Sequence, residues 1–258
     1  MNKSSADNLE TGTPASPAFP GALPIQRLPL TGATGEPVLE LVELPETEDE
    51  RDQIFRRSQE WIESVSPGTV SQVILVTLPG ARVLWAPGRA VTFASPARAE
   101  VVRNALLEFV RTETELRRIE TELAELWPQL EIDSPLAFEF SERSVRGRRH
   151  LARRFARVIS LRAGLAKLTP RILLPHAHPP TLAGQVGERL RDRSRLAHRL
   201  EFLESQLEVF ERVYDGCAQR ASDFMLARRS HALEWVIIIL LLAQIILVGV
   251  EMLSSAGN

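Results

Sequence analysis

Leu233 to Leu253 reads Leu-Glu-Trp-Val-Ile-Ile-Ile-Leu-Leu-Leu-Ala-Gln-Ile-Ile-Leu-Val-Gly-Val-Glu-Met-Leu. Trp235 to Val250 carries no charge. At 1.5 Å per residue that part spans about 24 Å, slightly less than a hydrocarbon core of about 30 Å. Extending it to Ala232 and Leu253 gives about 33 Å. Glu234 and Glu251 then fall near the two interfaces, where a charge costs far less than at the midplane. Leu233 opens the span, Trp235 takes an interfacial aromatic position, and Gln244 is its polar interruption. The run is apolar on nearly every side, so it offers no face to water. Little chain follows Leu253 to bury it. The expectation is one transmembrane helix, with a residual tail over 254–258.

Flanking charge sets the orientation. Arg228 and Arg229 precede the span and nothing basic follows it. By the positive-inside rule the larger N-terminal part stays cytoplasmic, at an inner (cytoplasmic) membrane. No signal peptide is expected, because residues 1–30 lack a basic start and a continuous apolar segment.

The chain as a whole has an ordinary globular composition: 258 residues, 25% charged, 44% hydrophobic, formal net charge −2. One cysteine, Cys217, excludes an intramolecular disulfide framework and a cysteine-rich zinc site.

Working outward, the segment before the anchor is helical in pattern from Thr181. Leu196, Leu200, Leu203, Leu207, Phe210 and Tyr214 alternate steps of four and three, then Cys217, Ala221 and Phe224. That is a heptad seam. The expectation is a coiled-coil-like helix whose seam is buried between subunits of a homo-oligomer, with packing on the Pro96–Leu126 helix as the competitor. Gly216 weakens the seam by up to about 1 kcal/mol against alanine. Residues 169–180 carry Pro170, Pro175, Pro179 and Pro180 and read as a linker. His176 and His178 within it have no third ligand nearby, so no metal site is assigned.

Residues 141–168 are strongly basic on one side of a helix, with Leu151, Phe155, Val158 and Leu165 on the other. Arg146, Arg149, Arg153 and Arg157 are the candidate contacts for anionic lipid or an RNA backbone. The competing reading pairs these arginines with acids of the neighbouring helices.

Nearer the N-terminus, residues 1–37 are rich in Ser, Thr, Pro and Gly and read as a disordered leader. Residues 38–168 read as an α+β cytoplasmic domain. Its strands are Val38–Leu44, Ser71–Leu78, Arg82–Trp85 and Ala90–Phe93, punctuated by Pro79-Gly80 and Pro87-Gly88. An amphipathic helix is expected over 49–65. A longer one runs from Pro96, capped by Ser95, to a stop at Trp127-Pro128. A further short strand is expected over Leu136–Phe140. The fold class is therefore α+β: a small N-terminal sheet with helices, then a long C-terminal helix continuing into one transmembrane helix.

The segment Arg228-Arg-Ser-His-Ala-Leu-Glu-Trp-Val-Ile-Ile-Ile-Leu240 resembles the "required for meiotic nuclear division" family. In that family a long helix after a proline-flanked segment ends in a similar Leu-Glu-Trp-Ile-Ile pattern and enters the membrane. The resemblance covers roughly Pro170 to Leu253. It implies a membrane-anchored, oligomeric protein and, from the mitochondrial member, support of translation. It supplies no catalytic residues, and the family's intramembrane acid is replaced here by Gln244.

No phosphate-binding loop, nucleophile elbow or zinc-protease helix is present in the sequence. The expected function is a non-enzymatic, tail-anchored scaffold without cofactors. A membrane-bound RNA- or ribosome-contacting protein is the first alternative and an unrecognised enzyme the second.

Overall fold

A computed structural model of the chain describes residues 24–30, 38–45, 53–64, 73–138, 147–173 and 180–256, without the side chains of Arg148 and residues 249–256. The chain divides into two compact units. One holds residues up to Thr114 together with Leu174–Leu196. The other holds Glu115–Leu173 and everything from Ala197 onward.

The first unit is built on five strands: β1 (Gln26–Pro29), β2 (Val38–Leu44), β3 (Ile74–Leu78), β4 (Ala81–Ala86) and β5 (Arg89–Ala94). Their order is β1-β2-β5-β4-β3, antiparallel except for the β2–β5 pair. Val, Leu, Ala, Phe and Trp dominate the central strands, which suits a sheet buried on both faces. All six residues of β5 are buried. Pro79 and Gly80 form the two-residue link between β3 and β4, with Leu78 paired to Ala81. Gly80 holds φ at 78°, where a side chain would be strained.

Helix α1 (Gln53–Glu63) lays Phe55, Trp61 and Ile62 on one face of the sheet, against Val42, Leu84, Val91 and Phe93. Arg89 fixes it there. Only 4% exposed, it pairs with Glu40 at 3.0 Å and donates to the Trp61 carbonyl at 2.7 Å and to Ser64 Oγ at 2.9 Å. Its guanidinium lies over the Trp61 ring, 4.5 Å from the centroid. Helix α2 (Pro96–Asp133) begins in this unit. Phe109 meets Trp85 edge-to-face at 4.9 Å.

Helices α3 (Arg148–Ile172), α4 (Leu182–Arg193) and α5 (Leu196–Ala256) follow. Thr181 caps α4 by accepting from Gly184 N–H at 3.1 Å. The second unit is a bundle of three helices: the C-terminal part of α2, α3, and α5 from Ala197. Glu120 meets Arg199, Trp127 meets Phe210 and Asp133 meets Tyr214, so α2 and α5 run parallel. Ile119 meets Gly164 and Asp133 meets Arg154, so α3 runs antiparallel to α2. Phe155 beside Tyr214 and Arg162 beside Glu204 and Glu211 make it antiparallel to α5 as well.

Five boundaries differ from the sequence reading. Strand β1 falls inside the stretch expected to be a disordered leader; its four residues pair with β2, and an edge strand tolerates Pro29. Helix α2 continues through Pro128 to Asp133, and α3 through Pro170 to Ile172. A proline inside a helix costs about 3 kcal/mol. Buried Leu126 and Leu130 flank the first and Leu168 and Ile172 the second, and burying such side chains offsets that cost. The strand expected at 136–140 begins instead as a 3-10 turn, Ser134–Ala137, with 139 and 140 outside the described residues. The helix expected to run unbroken from Thr181 is interrupted at Ser194-Arg195, where Arg195 takes φ 52°.

Candidate functional site

Among the described residues one helix, α5, is long and apolar enough to cross a membrane. Its most apolar part is not buried within the chain. From Leu233 to Val248 every residue is exposed, including Glu234, Trp235 and Gln244. Trp235 is 65% exposed and Ile245 69%. Sixteen consecutive exposed positions of this composition cannot face water without a large hydrophobic cost. Glu234 sits beside His231, 3.1 Å from its Nδ1. The Glu251 side chain lies outside the described residues. Leu241, Gln244, Ile245 and Val248 line a shallow open groove along one face.

The heptad seam is placed differently from the expectation. Leu196, Leu200, Leu203, Leu207, Phe210 and Tyr214 are at most 2% exposed in the single chain, as are Cys217 and Ala221. From Leu200 onward the seam belongs to the three-helix bundle, where Trp127 of α2 meets Phe210 and Phe155 of α3 approaches Tyr214 at 6.3 Å. The periodicity that suggested a partner subunit is satisfied by the chain's own helices. A second copy docking on the seam would have to displace them. Gly216 sits where a Cβ would meet Ala137 at 3.4 Å, so glycine brings the turn after α2 into contact with α5.

At the level where the seam ends, one polar node joins all three helices. Asp133, 5% exposed, pairs with Arg154 of α3 and accepts from the Tyr214 hydroxyl of α5 at 3.3 Å. The Cys217 thiol approaches the Asp133 carbonyl oxygen at 3.7 Å. Burial, then the nearby Asp133 carboxylate, pushes the Tyr214 hydroxyl up to about 12. The same two causes push the Cys217 thiol up to about 11, so it is a neutral packing group and a poor nucleophile at ordinary pH. Sequence reasoning missed Asp133, since a lone aspartate at a helix end carries no distinguishing pattern.

The basic helix is sorted by its surroundings. Arg154 pairs with Asp133. Arg157, expected among the lipid or RNA contacts, instead faces α2, 3.5 Å from Glu125 and 3.9 Å from Glu122. Arg162 reaches Glu211 at 4.0 Å and donates to the Glu204 carbonyl. The bidentate pair of Arg199 with Glu120, at 2.8 and 2.7 Å, adds a further tie between α2 and α5. Arg149 and Arg153 are exposed and make no ion pair with a described residue. Arg146 and the His176–His178 pair lie outside the described residues. Among the described residues no three His, Cys, Asp or Glu side chains gather as a metal site would require.

No protein-family model matches this chain, and no curated protein matches it in sequence.

Proposed function

We propose that the protein is a single-pass, non-enzymatic membrane tether. In this reading the apolar part of α5 spans an inner membrane and holds the two folded units on its cytoplasmic side. The observation that carries it is the run Leu233–Val248, apolar but for Glu234 and Gln244 and exposed at every position, at the end of a helix whose earlier half is a packed bundle element. Arg228 and Arg229 before the run support the orientation. The resemblance of Arg228–Leu240 to the "required for meiotic nuclear division" pattern supports the same reading. So does the continuity of α5, which leaves no hinge between bundle and span.

Within this reading self-association belongs to the span rather than the seam. Gln244 is the polar side chain near the middle of the run, and a parallel second copy supplies a hydrogen-bonding amide at the same depth. Crosslinking between copies that survives Gln244→Leu unchanged would count against that placement.

The tether is tested by fractionation. Full-length protein should resist extraction by alkaline carbonate and high salt, and a chain ending at Arg229 should be soluble. Release of the full-length protein by salt alone would refute a spanning helix. An N-terminal reporter protected from protease in inverted vesicles would refute the orientation.

A further inference from the structure

We propose that the end of the three-helix bundle nearest the span docks, through Arg149 and Arg153, on anionic lipid headgroups of the bilayer that α5 enters. The inference rests on the tether reading and adds a second, electrostatic contact to it.

The register of the bundle places these arginines. Helix α3 runs antiparallel to α5, with Phe155 opposite Tyr214. Arg149 and Arg153 precede Phe155, so they lie on the side of that level towards the span. Arg149 is about level with Arg220. The distance along α5 from there to Leu233 is about 20 Å, and the headgroup layer fills roughly 5–7 Å of it. Membrane helices tilt by about 20° on average, which lowers one side of the bundle end further. Extended, Arg149 then comes within about one Debye length, ~8 Å, of the phosphates, while Arg153 lies about 6 Å further from the span and feels a weaker attraction.

Among the described residues the charge at this end is weakly basic: Arg149, Arg153, Arg220, Arg228 and Arg229 stand with Glu131, Asp215, Asp223 and Glu234, and Glu234 is beside His231. Arg149 stands in the first turn of α3, where the helix dipole disfavours a cation, and that turn holds no acid. Its side chain makes no ion pair with a described residue, in contrast to Arg154, Arg157 and Arg162, each held by α2 or α5. Two large apolar side chains stand at the same end: Ile132, 73% exposed, and Phe138, 81% exposed. Basic residues beside exposed apolar ones suit a membrane interface.

Lys167 and Arg171 supply the control. They are exposed on the same helix, but Lys167 is about 27 Å from Arg149 along the axis, away from the span. An RNA backbone approaching from solvent has no reason to prefer one end. A bilayer does.

The test uses the full chain in nanodiscs, with a fluorophore on Ala152→Cys and energy transfer to headgroup-tagged lipid. Ala152 is exposed and the native Cys217 is buried, so the label goes to one site. Transfer should be higher in phosphatidylcholine mixed with phosphatidylglycerol than in phosphatidylcholine alone, and high salt should abolish the difference. Arg149→Gln with Arg153→Gln should lower the docked-to-undocked ratio at least about five-fold, the contribution of one arginine at the surface, with Arg153 adding less from its greater height. Lys167→Gln with Arg171→Gln should leave it unchanged. Equal transfer in both lipids would overturn the proposal, as would equal effects of the two double variants. RNA oligonucleotide binding that depends on Arg149 and Arg153, with no lipid dependence, would assign the surface to nucleic acid instead. Failure of the chain to stay with neutral nanodiscs at all would refute the tether itself, a separate outcome.

Discussion

Replacing Asp133 by alanine tests whether the polar node holds the bundle together. Its side chain is 7% exposed and that of Arg154 is 19% exposed. Removing one partner of a buried ion pair costs about 3–5 kcal/mol, because the other charge is left unpaired. Arg154 keeps some access to water, so the low end applies, about 3 kcal/mol. The Tyr214 hydroxyl loses its acceptor in the same step. For a chain of this size 1 kcal/mol shifts Tm by about 2–4 °C, so Asp133→Ala should melt about 6–12 °C lower. The assay is thermal unfolding of the full chain in mild detergent, followed by near-ultraviolet circular dichroism, which reports Trp127 against Phe210. Arg154→Met completes a double-mutant cycle. The double variant should be less destabilised than the sum of the singles, with a coupling of about 1–3 kcal/mol. A Tm within about 1 °C of wild type, or additive single effects, would show that the node is incidental to the fold.

Two further outcomes follow from the same bundle. Tyr214 and Cys217 are held neutral, with folded values raised to about 12 and about 11. A raised value means that the folded state resists losing the proton. Stability is therefore intact below the ordinary values of 10.0 and 9.0 and falls as pH rises through the folded ones. Each group accounts for about 2–3 kcal/mol of that alkaline loss. Tyr214→Phe should flatten the profile above about pH 10, and Cys217→Ala between about pH 9 and 11. A profile unchanged by both would exclude these groups as its cause. Replacing Leu203 and Leu207 together by Asp should unfold the bundle, since both are at most 2% exposed within the chain. Folded monomers from that variant would restore the seam to a role between subunits.

The legible parts of this fold were those with long periodicity or strong local chemistry. The apolar run after Leu233, the Pro-Gly turns and the strand β4–β5 pair each carry their signal within a few residues. The seam carried its signal too, but periodicity names a buried face and not its partner. Leu203 and Leu207 would show the same spacing beside a second copy or beside α2. What selected α2 and α3 was the complementary chemistry of residues far away in sequence: Glu120 for Arg199, Trp127 for Phe210 and Asp133 for Tyr214 from α2, and Phe155 for Tyr214 from α3. Pro128 and Pro170 misled for a related reason. A proline's local cost is visible in sequence, whereas the burial of Leu130 and Ile172 just beyond it is decided by packing.

The basic helix shows most directly what a linear charge pattern leaves out. Its arginines look equivalent in sequence, and function would be assigned to all or none. Antiparallel packing against two helices distributes them by height and by partner. Arg154 is committed to a buried carboxylate, while Arg157 and Arg162 meet acids at partly exposed positions, where ion pairs contribute little. Arg149 and Arg153 are left at the end from which α5 proceeds towards the span. Among the described arginines between Arg149 and Arg162 the charge run therefore divides into one buried structural lock, two weak surface ties and one pair without an ion-pair partner among the described residues, and it is that pair which the proposed membrane contact uses.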